Sequence, residues 1–541
     1  MSQSSVAQES ARGTLILLAG NLVYTGVTTV AGIFVARLLG PDGYGVYTLT
    51  FLVPSILLLF VGFGVNIAVT RYVAYYLSSG DVERAKSVTR TATSFLLLFG
   101  ILLSAVNFFG ASYFVDVLLH RPGLVPFVQV ASFFIVGATV AQSATSIFIG
   151  WGSMVELSAF TVLQAILKLV LTVGLILAGF GVLGAAVGHV LSYLVEGALA
   201  TLFLYLAHMR PWSRPSNTFF ADTRMMLGYG FPLFAGGIVS GLASQYVTII
   251  LAAIATNSVI GYYQAALNVT TAMSVVSGAV TNALSRSFAT LHGLSGDTSL
   301  AFSYAVRYVS LILTPVVFFL IAAAGPLFDL VYGPSYSQGV MLLQLLAISS
   351  LPVAIGHTVL SPFLNGVGKS RITMLISLAS AVVLAVAGFF FAVSLGLGAQ
   401  GIMVAFLLSN LAMTVPGLLL AGSYLGVRLP LKPLAGIVVA AFVAWLAILL
   451  LPLGGLPSAV ALTIDFVVFT IVYLTFVPLV GGIDGDDIAR LSIAGEALGP
   501  ARKILTLTLR YEGRMLALAR RLRGAPTSGT NRAEFVQRSE T

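Results

Sequence analysis

Two charged side chains sit deep inside long apolar stretches, where charge is expensive. Lys168 lies near the middle of the stretch 156–179, and Glu196 near the middle of 182–207. A charge at bilayer depth costs about 2.5 to 3.5 kcal/mol on insertion scales, so it is normally turned inward and paired or put to use. If the two stretches are adjacent antiparallel helices, the two residues lie at similar depth. One reading is then a buried ion pair that fixes how two helices meet. The other has both facing a cavity, where they hold a phosphate or relay charge. Arg37 raises a related question, because its guanidinium can grip a phosphate through two parallel hydrogen bonds. It can equally cap the last carbonyls of the first long helix or snorkel at its end.

Uncharged polar residues recur at helical spacing in three places. Asn21, Thr25, Thr28 and Gly32 form one stripe; Ser240, Ser244 and Thr248, with Gln245 beside them, form a second; Gln264, Asn268 and Thr271 form a third. Small polar residues of this kind commonly tie helices together. Three stripes on related segments fit a hydrophilic chamber able to accommodate sugar.

The elements that must position these residues are membrane-spanning helices. The 541 residues are 58% hydrophobic and only 8% charged, whereas about a quarter of residues are charged in soluble domains. A crossing helix takes roughly 20 apolar residues, and about fourteen such spans can be read: 14–38, 45–69, 89–112, 125–150, 156–179, 182–207, 228–255, 259–285, 304–324, 338–365, 371–394, 398–424, 433–452 and 457–480. The runs are continuously apolar, unlike the alternating strands of a membrane barrel, so the expected class is an all-α integral membrane protein. Pro54, Pro232, Pro315, Pro352, Pro362 and Pro416 interrupt spans and permit kinks.

Basic residues orient the bundle, because Lys and Arg accumulate in short cytoplasmic loops. With the N-terminus inside, Arg71, Arg84, Lys86 and Arg90, then Arg210, Arg214 and Arg224, then Arg286 and Arg307, and the basic residues of the tail fall on one side. Both termini are therefore expected in the cytoplasm. The net charge of +9 follows from this topology, and no nucleic-acid partner is expected. The first span is too long for a cleaved signal peptide, and the chain has no cysteine, which removes disulfides and thiol chemistry.

The first twelve spans read as one six-span unit stated twice. Gly45-Val46-Tyr47 matches Gly261-Tyr262-Tyr263, Arg71-Tyr72-Val73-Ala74 matches Arg286-Ser287-Phe288-Ala289, Ile149-Gly150-Trp151-Gly152 matches Asn365-Gly366-Val367-Gly368, and Leu183-Gly184-Ala185-Ala186 matches Leu397-Gly398-Ala399-Gln400. Four matches in order at one spacing are a repeat signal. An even number of spans per unit makes the two units parallel, related by an axis along the membrane normal, as in transporters whose halves rock about a central site.

The residues Ala36-Arg37-Leu38-Leu39-Gly40-Pro41 leading into Tyr44-Gly45-Val46-Tyr47, Gly64 with Arg71, and the turn Asn365-Gly366-Val367-Gly368-Lys369 resemble the prokaryotic polysaccharide and oligosaccharide flippases of the multidrug/oligosaccharidyl-lipid/polysaccharide (MOP) exporter superfamily. The resemblance runs from residue 10 to about 480. It implies a V-shaped pair of six-helix lobes around a polar cavity, lined by spans 1, 2, 7 and 8. It also implies two extra C-terminal spans that make a groove for a lipid tail, a role that 433–480 would fill. The implied activity moves a lipid-linked oligosaccharide, on a polyprenyl or dolichyl (di)phosphate, from the cytoplasmic to the outer leaflet of a prokaryotic plasma membrane.

The expected organisation is thus a cytoplasmic N-terminus at 1–13, an N-lobe at 14–207, an inter-lobe linker at 208–227, a C-lobe at 228–424, spans 13 and 14 within 433–480, and a cytoplasmic tail at 481–541. In that tail Ile504, Leu507, Tyr511, Leu518 and Leu522 are expected on one helix face, and Arg502, Lys503, Arg510, Arg520 and Arg521 on the other. Such a helix either lies on anionic lipid or docks on the lobes. The candidate transport residues are Arg37, Lys168, Glu196, Asn21, Thr25, Thr28, Gln245, Gln264 and Asn268, with Arg71 and Arg286 as a cytoplasmic gate or headgroup contacts. No enzyme is expected, since the connections carry neither a phosphate-binding Gly-rich loop nor a cluster of metal ligands. No cofactor or metal is called for, and coupling to a sodium or proton gradient or to the membrane potential is left open. Membrane lipids and the glycosyltransferases, polymerase or oligosaccharyltransferase of the same pathway are the expected partners. The competing reading is a multidrug or organic-cation antiporter of the same superfamily, which would want carboxylates in its cavity. A scaffold or lipid scrambler without coupled transport is the third.

Overall fold

In lipid every backbone polar group must be satisfied internally, which the α-helix does within a single segment. The computed structural model describes residues 3–210, 218–293, 297–495 and 502–522, and no strand occurs among them. The helices are α1 (Gln3–Thr50), α2 (Leu52–Leu58), α3 (Val65–Ser78), α4 (Val82–Phe114), α5 (Val125–Trp151), α6 (Met154–Leu175), α7 (Gly181–His208), α8 (Phe219–Ile254), α9 (Asn257–Gly293), α10 (Thr298–Ala322), α11 (Ala324–Tyr332), α12 (Val340–Ser349), α13 (His357–Gly366), α14 (Ser370–Phe389), α15 (Gly398–Leu425), α16 (Leu431–Leu449), α17 (Ser458–Leu479), α18 (Gly485–Gly495) and α19 (Arg502–Leu522).

Ten helical segments among the described residues are long and apolar enough to cross a membrane, and the chain is a multi-pass membrane protein. Two of them, Ile16–Leu58 with 43 residues and Met154–His208 with 55, exceed the roughly 20 residues of one crossing. Each is broken at glycine. Gly40 (φ 67°) precedes Pro41 inside α1, and Gly179 (φ 90°) and Gly181 (φ 54°) turn α6 into α7. The expected spans 228–255 and 259–285 fall on α8 and α9. Helix α8 already begins at Phe219, inside the stretch 208–227 expected as a linker.

The break after α2 is not at Pro54, where the sequence places a kink. It is at Gly62, Phe63 and Gly64, whose φ angles of 75°, 45° and 87° are all left-handed. Phe63 carries the cost there, of order 1 to 3 kcal/mol for a side chain held in that region.

The chain forms two compact units. The first comprises residues 1–276, 331–346 and 378–409; the second comprises 277–330, 347–377 and 410–541. In the first unit α5 packs against α4 and α7, and α6 against α1 and α7. Asn107 of α4 donates to the Val128 carbonyl and the Ser132 hydroxyl of α5. Helix α4 starts on an Asp81 cap, whose carboxylate accepts from the Arg84 backbone N–H. The Arg84 side chain pairs at 2.5 Å with the fully buried Asp222 of α8, which also accepts from Ser87 and Thr218.

In the second unit α10 packs against α13 and α16, α16 against α17, and α17 against α19. The Tyr473 hydroxyl of α17 donates to the Leu311 carbonyl of α10. Arg307 of α10, 8% exposed, is clasped by Asp484 at 3.0 Å and by Asp487 at 2.5 Å. These two acids reach each other's backbone N–H across the start of α18.

Candidate functional site

The polar stripes of α1, α8 and α9 meet in the first unit around a chamber of about 410 Å³. Thr25, Thr28 and Gly32 of α1, Gln245 and Thr248 of α8, and Gln264, Asn268 and Thr271 of α9 all line it. Threonines in a helix of this kind satisfy their own hydroxyl: Thr28 donates to the Tyr24 carbonyl, one turn back. The amides form a relay along α9 that ends on α1. Gln264 donates to the Asn268 side-chain oxygen, and Asn268 donates to the Tyr44 hydroxyl at 2.7 Å.

Lys168 and His189 complete the lining from α6 and α7. The His189 Nδ1 lies 2.7 Å from the Tyr47 hydroxyl, and its ring centroid is 4.3 Å from that of Phe51, the two planes tilted by 39°. Among the described residues no carboxylate lies within ion-pair distance of Lys168, and no lining residue is Asp or Glu. The chamber therefore offers one cation, a histidine, hydroxyls, amides and aromatic rings. That donor-rich set can hold an anionic group beside sugar hydroxyls.

The expected pairing of Lys168 with Glu196 is not formed. Gln164 donates to Ser192, and Gly188 faces Leu171 and Thr172, a register that sets Lys168 opposite residue 190 or so. Glu196 is six residues further along α7, about 9 Å of helix rise. It is buried, with its Oε2 lacking a partner, and it is not part of the lining. The bend at 179–181 falls where the expected spans place it; the depth match failed because the midpoints of two spans need not be level, and counted from that bend Glu196 is more than one turn out of step.

Two other candidates lie elsewhere. Arg37 and Asn21 are exposed and do not line the chamber. Arg71 is exposed too, with its guanidinium 4.2 Å above the ring of Tyr229 and 5.5 Å above that of Tyr72. The side chain of Arg286 is outside the described residues. Sequence reasoning missed Tyr24, Tyr44, Tyr47 and Phe51, which also line the chamber. The one signal was in plain view: Tyr44 and Tyr47 sit in the motif that carries the family resemblance.

Glycines let the helices around the chamber touch backbone to backbone. A Cβ on Gly45 would fall 1.9 Å from the Asn257 carbonyl oxygen, and one on Gly261 would fall 2.0 Å from that of Pro41. Gly45 thus meets Asn257, and Gly261 meets Pro41. A second close contact joins Gly64 to Gly230, where the added Cβ atoms would lie 2.2 and 2.3 Å from the opposite carbonyl oxygens.

The sequence profile of a family described as polysaccharide biosynthesis protein matches residues 34–341. No curated protein matches the chain. Among solved structures, the lipid II flippase MurJ in an inward closed conformation is 12% identical, with a TM-score of 0.71, covering 85% of this chain and 98% of its own. An inward-facing multidrug resistance MATE family transporter of the MOP superfamily is 19% identical, with a TM-score of 0.64, covering 74% of this chain and 94% of its own. A MOP superfamily transporter from Pyrococcus furiosus, described as having a binding pocket of reverse polarity, is 19% identical with a TM-score of 0.53, covering 77% of this chain and 95% of its own. The fold is that of the MOP transporters.

Proposed function

The chain belongs to the polysaccharide biosynthesis protein family, and on that premise we propose that it is a flippase for a lipid-linked oligosaccharide, carried on a polyprenyl or dolichyl (di)phosphate. It moves this lipid from the cytoplasmic to the outer leaflet of the plasma membrane by alternating access, with both termini in the cytoplasm, for surface polysaccharide or glycoprotein synthesis. The observation that carries the reading is the chamber's lining: Lys168 with no counter-ion among the described residues, hydroxyls and amides around it, and no carboxylate among the residues that line it. An unpaired cation in a low-dielectric wall favours an incoming phosphate over an organic cation. The amides and hydroxyls have the donor and acceptor geometry that sugar hydroxyls use. At about 410 Å³ the chamber is the size of a small-ligand pocket, so a longer glycan requires the helices to part.

The test is transport by the purified chain in proteoliposomes, following loss of a fluorescent lipid-diphosphate oligosaccharide from the donor leaflet. Wild type and Lys168→Arg are expected to transport, and Lys168→Ala to fail while keeping its abundance and thermal midpoint. Transport of an organic cation in exchange for protons or sodium, with the glycolipid left in place, overturns the reading in favour of the antiporter.

A further inference from the structure

Four of the six basic residues of helix α19 share one side. Its sole acid, Glu512, is buried against α17 and α18, as are Leu509 and Ala519. The Tyr511 hydroxyl lies 2.6 Å from that of Thr475, which holds α19 beside the last two turns of α17. At 100° per residue the opposite side presents Lys503, Leu507, Arg510, Arg514, Leu518 and Arg521 in one stripe. All six are exposed, Leu507 by 73% and Leu518 by 45%. The sequence places Leu507 and Leu518 on an apolar face, with Ile504, Tyr511 and Leu522, opposite the cations. The structure puts them among the cations instead, because α17 and α18 together claim the face of Glu512.

We propose that this stripe is a docking surface for anionic phospholipid headgroups of the leaflet beside α19. Four cations that form no ion pair among the described residues meet a negative surface, and the two leucines enter the acyl boundary between them. A solvated helix would have no use for leucine at the centre of its most exposed face. The placement supports lipid over a soluble partner: α19 lies beside Thr475 near the end of α17, a helix long and apolar enough to cross the membrane, and the stripe faces away from α17 and α18. The inference is independent of what the chamber transports.

The chain has no cysteine, so Leu507→Cys and Leu518→Cys each take a single environment-sensitive fluorophore. The full chain is placed in nanodiscs of phosphatidylcholine alone or of phosphatidylcholine mixed with phosphatidylglycerol. Expected is a blue shift, with quenching by lipid-borne nitroxide, in the mixed discs, reduced severalfold by high salt and by joint Lys503→Gln, Arg510→Gln, Arg514→Gln and Arg521→Gln. Amide exchange of α19 reports whether that variant keeps its helix; where it does not, Arg510→Gln and Arg514→Gln singly are expected to lose part of the quenching each. Equal signals in both discs, or salt-insensitive quenching, overturn the proposal. So does protection by added RNA or polyglutamate with none from phosphatidylglycerol.

Discussion

Lys168 and Arg307 are both cations set into apolar helices, one in each compact unit, and the protein treats them in opposite ways. Arg307 is clasped by Asp484 and Asp487, and its guanidinium also reaches the Gly482 carbonyl at 3.5 Å. Lys168 is given open volume, a histidine and hydroxyls, and no counter-ion among the described residues. A charge whose partners are supplied within the fold is committed to holding helices together. One left facing a chamber is available to something that arrives. Both are basic and both lie in apolar helices, Arg307 buried and Lys168 half-buried against the chamber; what separates their roles is where the carboxylates went.

That contrast can be broken most forcefully at the clasp. Arg307→Ala strips its charge from Asp487, which is 1% exposed on its side chain, and is expected to cost about 3 to 5 kcal/mol, read as a lower thermal midpoint in detergent. Lys168→Ala is expected to do the reverse: little change in midpoint, and a fall in glycolipid transport of about 10- to 100-fold, as befits a lost charge-assisted hydrogen bond. If Lys168→Ala unfolds the chain while Arg307→Ala leaves it intact, the assignment of roles is inverted. Asp484→Asn sharpens the comparison on a smaller scale. Its side chain is 52% exposed, so solvent screening holds the loss to about 1 kcal/mol or less.

The smallest effect is a pH slope. Burial, and then the charge of Asp487, push the Glu512 carboxyl up to about 7 from its ordinary 4.5. Burial also raises Asp487, while Asp484, despite its own burial, is held low by its hydrogen bonds to Asp487 and to the Arg307 guanidinium. Docked α19 therefore binds a proton more tightly than undocked α19. Its docking is strongest on the acid side and weakens as pH rises through about 7. Amide exchange of α19 should speed up across that range beyond its intrinsic rate, and Glu512→Gln should flatten the excess. An excess that persists in Glu512→Gln places the titration elsewhere in the cluster.

How much of this was legible in the sequence depends on what each residue had to signal. Thr25, Thr28, Gln245, Gln264 and Asn268 could be found because a polar side chain at helical spacing in an apolar run is conspicuous, and that spacing is a property of one helix alone. Asn21 shares the stripe yet is exposed and lines nothing, since spacing fixes an angle about the helix and not how far along it the neighbours extend. Glu196 failed for a related reason: depth across a hairpin is counted from the turn, and from glycines 179 and 181 it lies more than one helical turn further out than Lys168, although each sits near the middle of its own span. Tyr44, Tyr47 and Phe51 were hidden, because an aromatic ring inside an apolar run looks like any other core residue. The clasp of Arg307 was invisible from composition, as its partners are about 180 residues away.

The touching backbones at Gly45 and Gly261 bear on how easily this protein can move. Helices that interlock through large side chains have knobs to lift out of holes before they separate, and each extraction opens a void. Here each glycine meets the main chain of Asn257 or Pro41 with no side chain of its own to interlock. The residues that permit closest approach are thus also those that make parting cheap, and a single methyl group at either glycine would act as a wedge driven into the seam.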